Sequence, residues 1–181
     1  INPNLIYCSI SGYGAKGPLR NKPGYDTLVS AYTGLFAMTG ESDRPPVRLG
    51  VAAIDMSTGM LAYSGVVSAL LAREHGAGGQ RVDASLLESG VTLLGYQGVA
   101  WTAGNVLVER EGAGFSTISP YGVYRARDGE ILIGAPAQNK WLLVCDVLEA
   151  PELATDERYA SNESRCRHDA DLRIDMEAKL V

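Results

Sequence analysis

The chain has 181 residues, of which 46% are hydrophobic, and carries a formal net charge of -5 at pH 7. This composition is typical of a globular protein with one or two domains, and the acidic balance argues against nucleic acid as the main partner. The sequence shows no apolar run as long as a membrane span and no signal-peptide pattern, so we expect no membrane partner.

Three cysteines, Cys8, Cys145 and Cys166, lie far apart along the chain. This spacing fits neither a disulfide framework nor a metal cluster, so we expect a reducing, cytoplasmic location and no bound metal. The chain opens without Met and stops within a helical pattern, and we therefore expect it to be a fragment of a longer protein.

The first part of the chain alternates between strand and helix patterns. Residues 5–11 are apolar on both faces, as in a buried parallel strand, and residues 25–38 are helix-like. Residues 55–74 combine large apolar positions with small residues at helical spacing, which predicts a helix buried against a sheet. A strand over 80–87 and a helix over 88–104 complete an α/β pattern with a mainly parallel sheet.

The composition changes near residue 105, where Gly, Ser and charged residues become frequent. We predict a large α/β domain over residues 1–107, a linker over 108–119 and a smaller α+β domain from 120 to 181. An Asp-Gly turn predicts a hairpin at the start of the smaller domain. Its predicted elements are two strands, a helix ended by Pro151 and a charged terminal helix, over residues 121–126, 131–135, 139–151 and from 162 onward.

Gly12, Gly14 and Gly17 spell G-x-G-x-x-G directly after the first predicted strand. A dinucleotide-binding loop needs a helix after the third glycine, but Pro18 follows at once and no helical pattern comes next. We interpret the segment as a tight turn at the carboxyl end of a strand, where α/β proteins bind ligands. A nicotinamide-binding module is the alternative.

Asp55 lies at the predicted start of the long helix, and its carboxylate has two interpretations. It can cap the helix by accepting hydrogen bonds from free backbone amides. The positive end of the helix also stabilises an ionised carboxylate, and the small neighbours Ala52, Ala53 and Gly59 leave room for a substrate. Asp55 is therefore a candidate nucleophile as well as a candidate cap.

Several long blocks carry a resemblance to a known family. Four blocks in the first part are "NPNLIYCSISGYGAKGP", "PGYDTLVSAYTGLFAMTGE", "PPVRLGVAAIDMSTGMLAYSGVVSALLARE" and "GGQRVDASLLESGV". Two more, "SPYGVYRARDGEILIGA" and "ELATDERYASNESRCRH", follow in the second. Together they resemble the class III CoA-transferases, which include formyl-CoA transferase and carnitine CoA-transferase. The resemblance implies part of a Rossmann-like large domain followed by part of a small α+β domain.

The resemblance implies that Asp55 is the nucleophile of a CoA-transferase. Its carboxylate would pass through a mixed anhydride with the donor acid and then an aspartyl-CoA thioester. CoA is a substrate in such a reaction, and no cofactor is permanently bound. The implied partners are an acyl-CoA and a carboxylic acid, with a dicarboxylate as one option. Relatives of this kind form interlocked homodimers.

The same superfamily includes 2-methylacyl-CoA racemases, which use a histidine and an aspartate as an acid/base pair. By resemblance that histidine would fall at Tyr25, 30 residues before Asp55. Tyrosine phenols ordinarily have a pKa of about 10 and do not readily accept a proton at neutral pH, which favours the transferase. Tyr25 would then orient substrate or CoA. A truncated, non-catalytic CoA-binding fragment is a third alternative.

Further candidates for contact with substrate or CoA surround the two glycine-containing blocks. They are Gly12, Tyr13, Gly14, Lys22 and Gly24. A local excess of basic residues before Asp55 could meet the phosphates of CoA, although each of them also fits a solvated surface. These basic residues are Lys16, Arg20, Lys22, Arg44 and Arg48.

Overall fold

A computed structural model describes residues 2–181 of the chain. These residues divide into two compact units, the first ending at Arg110 and the second beginning at Glu111. The division falls within residues 108–119, which the sequence analysis treats as a linker.

The first unit is an α/β structure built around two parallel strands. Strands β1 and β2 pair in register from Ile6 opposite Gln80 to Ser11 opposite Ser85. A buried cluster of Val29, Leu35, Ile54 and Leu86 joins the helices beside them. The predicted α/β class with a parallel sheet is thereby confirmed. The elements are β1 (Ile6–Ser11), α1 (Asp26–Thr33), a 3-10 turn (Phe36–Met38), α2 (Ala53–Glu74), β2 (Gln80–Ser85), α3 (Leu86–Leu93) and α4 (Gly95–Gly104).

Two of the predicted helices are shorter than their sequence pattern. The pattern over 25–38 breaks at Gly34, whose φ of 93° ends α1 in a left-handed conformation. The pattern over 88–104 begins two residues earlier, at Leu86, and divides at Leu94, before Gly95 with a φ of 53°. Glycine tolerates these positive φ values, so local backbone geometry divides an apolar pattern that continues along the sequence.

Helix α2 packs mainly through its small residues and Ile54, and it exposes most of its other large apolar residues. Ala62 and Ala69 are buried, and Gly65 lies against Val82 of β2. Small side chains allow the helix backbone to approach the strands closely, whereas the larger positions turn away. The predicted close packing of this helix against the strands is confirmed for its small residues, whereas the large apolar positions expected to share that burial are mostly exposed, and the prediction of a buried β1 is wrong. The exposed positions include Tyr7, Ile10, Met56, Met60, Val67, Leu70 and Leu71.

Helix α2 bears on the expectation of no membrane partner without overturning it. Its 22 residues are long and apolar enough to cross a membrane by length and composition alone. The sequence analysis missed this because scattered Ser and Thr residues interrupt the apolar run without making the helix polar overall. One such helix is weak evidence for a membrane, since core helices of globular proteins pass the same test.

The contact between Gly65 and Val82 predicts that alanine substitutions at two glycines of α2 change the free energy of unfolding differently. A Cβ on Gly65 would lie 2.6 Å from Cγ1 of Val82, whereas a Cβ on Gly59 would meet no atom within 4 Å. Val82 is β-branched and has little rotamer freedom to move away. We expect Gly65→Ala to lower the free energy of unfolding by about 1–2 kcal/mol.

Gly59→Ala is the matched control. Ala has the higher helix propensity, so this change should raise the free energy of unfolding by up to about 1 kcal/mol. Urea unfolding followed by circular dichroism measures both variants. Equal effects in the two variants would show that Gly65 does not pack against β2 as described.

The second unit is a β-hairpin covered by helices. Strands β3 (Tyr121–Ala126) and β4 (Gly129–Gly134) pair antiparallel across the predicted Asp-Gly turn, which confirms the hairpin. The predicted terminal helix divides at His168, and the helix predicted to end at Pro151 ends earlier, at Val147, so that Pro151 instead begins a short helix. The helices are α5 (Gln138–Val147), α6 (Pro151–Thr155), a 3-10 turn (Glu157–Tyr159), α7 (Asn162–Arg167) and α8 (Asp169–Leu180).

The core of this unit surrounds a buried arginine. Arg165 is fully buried, and its guanidinium carbon lies 5.2 Å from the ring centre of Trp141. Its Nε donates to the carbonyl oxygen of Ser119 at 2.6 Å, and Nη1 donates to the carbonyl oxygen of Tyr159 at 2.9 Å. Burial lowers the pKa of Arg165, and these neutral acceptors replace part of the water that the cation loses, while Nη2 has no partner among the described residues.

Substitution by phenylalanine should affect the free energy of unfolding differently at two buried tyrosines of this core. The Tyr159 hydroxyl donates to Oδ2 of Asp175 at 2.6 Å, whereas the Tyr124 hydroxyl has no hydrogen-bond partner among the described residues. Burial raises the pKa of Tyr124 to about 12, so its hydroxyl stays neutral at physiological pH. We expect Tyr159→Phe to lower the free energy of unfolding by about 1–2 kcal/mol.

Tyr124→Phe removes only an unsatisfied hydroxyl, so it should leave the free energy of unfolding unchanged or raise it slightly. Urea titrations of the two variants in the same buffer test the pair. A larger loss in Tyr124→Phe than in Tyr159→Phe would contradict this account of the core.

Candidate functional site

The candidate site lies where β1 and β2 end, because the carboxyl ends of parallel strands share one edge of the sheet. After β1 the chain turns at Gly12, whose carbonyl oxygen accepts a hydrogen bond from the Leu87 amide at 3.0 Å. The Gly14 amide donates to Oγ of Ser11 at 3.1 Å. The first of these bonds joins the turn after β1 to the first residues of α3, directly after β2, and the second lies within the turn itself.

A backbone contact brings a second loop to the same edge. A Cβ on Gly12 would lie 2.8 Å from both Cα and N of Gly24, so the two glycine backbones touch. Gly14 has a φ of +85° and Gly17 one of +89°, as in a turn. No helix follows Gly17 before Asp26. The segment is therefore the tight turn that the sequence analysis favoured, and a dinucleotide loop does not form.

Helix α2 begins at Ala53, two residues before its predicted start. Asp55 therefore lies inside the first turn, and the interpretation of Asp55 as the N-cap is wrong. The residue before the helix, Ala52, makes no side-chain capping bond. Instead Oδ2 of Asp26 accepts hydrogen bonds from the amides of Ile54 at 2.8 Å and Asp55 at 3.1 Å. Helix α1 thus supplies the cap of α2.

The carboxylate of Asp55 is free to meet a ligand. The residue is exposed, and among residues 2–181 no group donates a hydrogen bond to its side-chain oxygens. The first turn of a helix favours negative charge because the backbone dipoles point their positive ends there. A Cβ on Gly59, one turn later, would meet no atom within 4 Å. Asp55 therefore presents an exposed carboxylate with open space beside it.

The structure brings most of the predicted site residues together. Gly12 and Gly24 touch, Tyr13 lies against Gly24, and Gly14 continues the same turn. Tyr25 immediately precedes Asp26, which binds the Asp55 amide, and its side chain is 62% exposed. These residues therefore border one corner of the first unit.

Lys22 is not brought to Asp55 by any contact of the described residues. Its side chain is exposed, and its amide donates to the carbonyl oxygen of Leu19 at 2.8 Å. The other basic candidates are also exposed, and two of them bond locally, Arg20 to the carbonyl oxygen of Gly17 and Arg48 to that of Leu49. Their role in binding phosphate stays a prediction.

Sequence reasoning missed three residues at this edge. Asp26 has no local signal, because its bonds reach residues 28 and 29 positions along the chain. Ser85 caps α3, because its Oγ accepts from the Glu88 amide at 3.2 Å, and the same Oγ donates to Oε2 of Glu88 at 2.7 Å. The spacing Ser-x-x-Glu could have placed the start of α3.

A separate apolar cavity of about 500 Å³ lies in the first unit, and none of the predicted site residues lines it. Among residues 2–181, no three His, Cys, Asp or Glu side chains are grouped as they would be around a metal ion. Residues lining the cavity include Thr33, Met38, Val91, Leu94, Trp101 and Leu107.

Comparisons with known proteins give one consistent result. The family model described as CoA-transferase family III matches residues 1–181. The chain is 38% identical to a succinyl-CoA:glutarate CoA-transferase of Mus musculus, covering 95% of the chain and 39% of that protein. It is 36% identical to an acetyl-CoA:oxalate CoA-transferase of Acetobacter aceti, covering 99% of the chain and 46% of that protein.

A solved structure gives the same result for the fold. The crystal structure of a CAIB/BAIF family protein from Brucella suis matches 99% of the chain and 47% of its own length, with a TM-score of 0.85 at 34% identity. The chain therefore spans less than half of the length of each of these three proteins.

Proposed function

The chain belongs to CoA-transferase family III, and from this membership we propose that the natural protein transfers coenzyme A from an acyl-CoA donor to a carboxylic acid. One observation of the structure supports the proposal most directly. Asp55 presents an exposed carboxylate from the first turn of α2, at the edge of the sheet where the glycine turn and Tyr25 also lie. An ionised carboxylate in such a place can attack a thioester carbonyl.

The first half of the proposed reaction loads CoA onto Asp55. An oxygen of the carboxylate attacks the thioester carbonyl carbon of the donor, the carbon–sulfur bond breaks, and CoA leaves as a thiolate. The product is a mixed anhydride between Asp55 and the donor acid. The thiolate then attacks the Asp55 carbonyl carbon, releasing the donor acid as a carboxylate and leaving an aspartyl-CoA thioester.

The second half repeats these steps in the opposite direction. A carboxylate oxygen of the acceptor attacks the aspartyl-CoA thioester, which gives a new mixed anhydride and a CoA thiolate. The thiolate attacks the acceptor's carbonyl carbon, forming the new acyl-CoA and restoring the Asp55 carboxylate. Each step exchanges one carboxyl derivative for another, so the proposed reaction needs no oxidant, reductant or resident cofactor. We assign Tyr25 to orienting substrate or CoA beside Asp55.

The acceptor proposed here is a dicarboxylic acid. The names of the Mus musculus and Acetobacter aceti relatives specify glutarate and oxalate, both dicarboxylic acids. We propose that CoA or the acid contacts the glycine turn of Gly12, Tyr13 and Gly14, together with Gly24 and Lys22. The placement of the first four at one edge with Asp55 supports this assignment.

An assay of donor and acceptor pairs tests the function. The natural full-length protein is incubated with acetyl-CoA or succinyl-CoA and, in turn, with oxalate, succinate or glutarate, and CoA thioesters are separated by mass. We expect the thioester of at least one acceptor to form at the expense of the donor. Free CoA alone, with no new thioester from any pair, would indicate hydrolysis and contradict the proposal.

A parallel incubation of the same protein with a 2-methylacyl-CoA in deuterated water separates transfer from racemase chemistry. In deuterated water a racemase would exchange the α-hydrogen of a 2-methylacyl-CoA, whereas the proposed steps break no carbon–hydrogen bond. We expect no deuterium in the acyl group. Deuterium incorporation without thioester exchange would favour the racemase alternative.

We further propose that the natural protein is a homodimer, as the family resemblance implies. The exposed apolar side chains of α2 support the proposal, because contiguous apolar surface usually marks an interface. Met60, Tyr63 and Leu71 are each at least 60% exposed. Analytical ultracentrifugation should give twice the monomer mass, and a monomer at micromolar concentration would contradict the proposal.

A further inference from the structure

We propose that Asp26 is a positioning residue, which fixes the first turn of α2 so that Asp55 points at its substrate. The inference rests on the proposed function of Asp55 as nucleophile. It adds a residue outside α2 whose role is to hold the nucleophile rather than to react.

A single oxygen of Asp26 makes both of the relevant bonds. Oδ2 accepts from the Ile54 amide at 2.8 Å and from the Asp55 amide at 3.1 Å. Asp26 is the first residue of α1, and that helix is anchored by Val29, which is fully buried in the cluster that also contains Ile54. Oδ2 of Asp26 is therefore held by a packed helix, and one of its two hydrogen bonds is to the backbone amide of Asp55 itself.

Among the residues that the structure describes, the first turn of α2 has no other acceptor for these amides. The methyl group of Ala52 cannot cap the helix. The Ala53 amide donates to the carbonyl oxygen of Val51 at 3.0 Å, and the Met56 amide donates to that of Ala52 at 3.0 Å. Only Ile54 and Asp55 remain, and Asp26 serves both. Removing it would leave two amides without a protein acceptor and let the turn that carries Asp55 fray.

The same bonds set Asp55 relative to Tyr25. Tyr25 adjoins Asp26 in the chain and precedes α1, and its carbonyl oxygen accepts the Val29 amide at 3.0 Å. Loss of the Asp26 acceptor would therefore separate the nucleophile from the residue proposed to orient the substrate. A displacement of about 1 Å in a reacting group can lower the rate by about 100-fold.

The arrangement requires an acceptor atom at one place and does not require its negative charge. Asn has a carbonyl oxygen at the same position as a carboxylate oxygen of Asp, and it is as good a helix cap. Glu keeps the charge but carries its oxygens one methylene farther from the backbone. These two substitutions therefore separate the position of the acceptor from its charge.

The experiment measures kcat and KM for the acyl-CoA donor in the natural full-length protein and its variants Asp26→Ala, Asp26→Asn and Asp26→Glu. We expect kcat to fall by about 10- to 100-fold in Asp26→Ala and Asp26→Glu, with KM changed by less than about threefold. Asp26→Asn should keep kcat within about threefold of the wild type.

Asp156→Ala is the matched control. Asp156 caps the 3-10 turn of the second unit through the Arg158 amide at 2.8 Å, so its loss removes an Asp cap that does not hold Asp55. This variant should unfold at a lower urea concentration while keeping the wild-type kcat.

Wild-type kcat in Asp26→Ala would overturn the inference. If Asp26→Ala does not fold, the other two variants decide, and Asp26→Asn impaired as strongly as Asp26→Glu would also overturn it. A wrong role for Asp55 can be distinguished from a wrong role for Asp26. If Asp55 is not the nucleophile, an Asp55→Asn variant retains transfer irrespective of the results for the Asp26 variants.

Discussion

Asp55→Asn should reduce CoA transfer by the natural protein by at least about 1,000-fold. The amide of Asn is a poor nucleophile and cannot form the mixed anhydride, so the reaction loses its covalent route. The isosteric change keeps the size of the side chain, and the backbone bond from residue 55 to Asp26 does not depend on it. Initial rates with the donor and acceptor pair found in the substrate assay measure the effect.

Asp83→Asn provides the control for this prediction. Asp83 is also an exposed carboxylate of the first unit, but it lies on β2 and pairs with Arg81 at 2.8 Å. Exposed ion pairs contribute little to stability, so this variant should transfer CoA at nearly the wild-type rate. Equal activity of Asp55→Asn and Asp83→Asn would remove Asp55 from the mechanism.

Gly24→Ala should damage both stability and activity. A Cβ on Gly24 would lie 2.8 Å from Cα of Gly12 and 3.3 Å from the ring of Tyr13. The backbone of Gly12 cannot rotate away as a flexible side chain could, so the loop before α1 must separate from the turn after β1. We expect the free energy of unfolding to fall by about 3 kcal/mol, and transfer to fall by about 10-fold or more under conditions where the variant is folded.

Gly50→Ala is the corresponding control, because a Cβ there would meet no atom within 4 Å. Its free energy of unfolding should stay within about 0.5 kcal/mol of the wild type. Urea unfolding and initial rates are compared for the two variants. A Gly24→Ala variant as stable and active as Gly50→Ala would contradict the close approach of the two loops.

Local patterns predicted the types of secondary-structure element in this fold better than the residues at which the elements begin and end. The parallel strand pair and the Asp-Gly hairpin follow from apolar runs and turn residues, and both are present. The single helix expected over 88–104 is two helices, because the apolar pattern continues through the break at Leu94. The Ser-x-x-Glu spacing of Ser85 and Glu88 was readable in the sequence and would have corrected the end of β2.

Burial was harder to predict than secondary structure. In α2 both the small and the large apolar residues recur at helical spacing, so the pattern alone does not say which of them faces the strands. Gly65 packs on Val82, whereas Met60 is 62% exposed. Hydrophobicity predicts a tendency to be buried, and only the arrangement of neighbouring elements decides which side is covered.

The candidate site could be predicted only in part, because the contacts that build it join residues far apart in the sequence. The pattern offered Asp55 as a cap or a nucleophile, and only the resemblance to a family favoured the second role. The cap belongs to Asp26, 29 positions earlier, and hydrogen bonds over such distances leave no local mark in a sequence. The contact between Gly12 and Gly24 is equally non-local.

Trapping of the covalent intermediate tests the proposed role of Asp55 most directly. The natural protein is mixed with its acyl-CoA donor, quenched with hydroxylamine, digested and analysed by mass spectrometry. Hydroxylamine attacks an aspartyl anhydride or thioester and leaves a hydroxamate on the side chain. We predict a hydroxamate on Asp55 that depends on the donor and is absent from the Asp55→Asn variant. Donor-dependent modification of a different carboxylate, or transfer that proceeds with Asp55 unmodified, would contradict the mechanism.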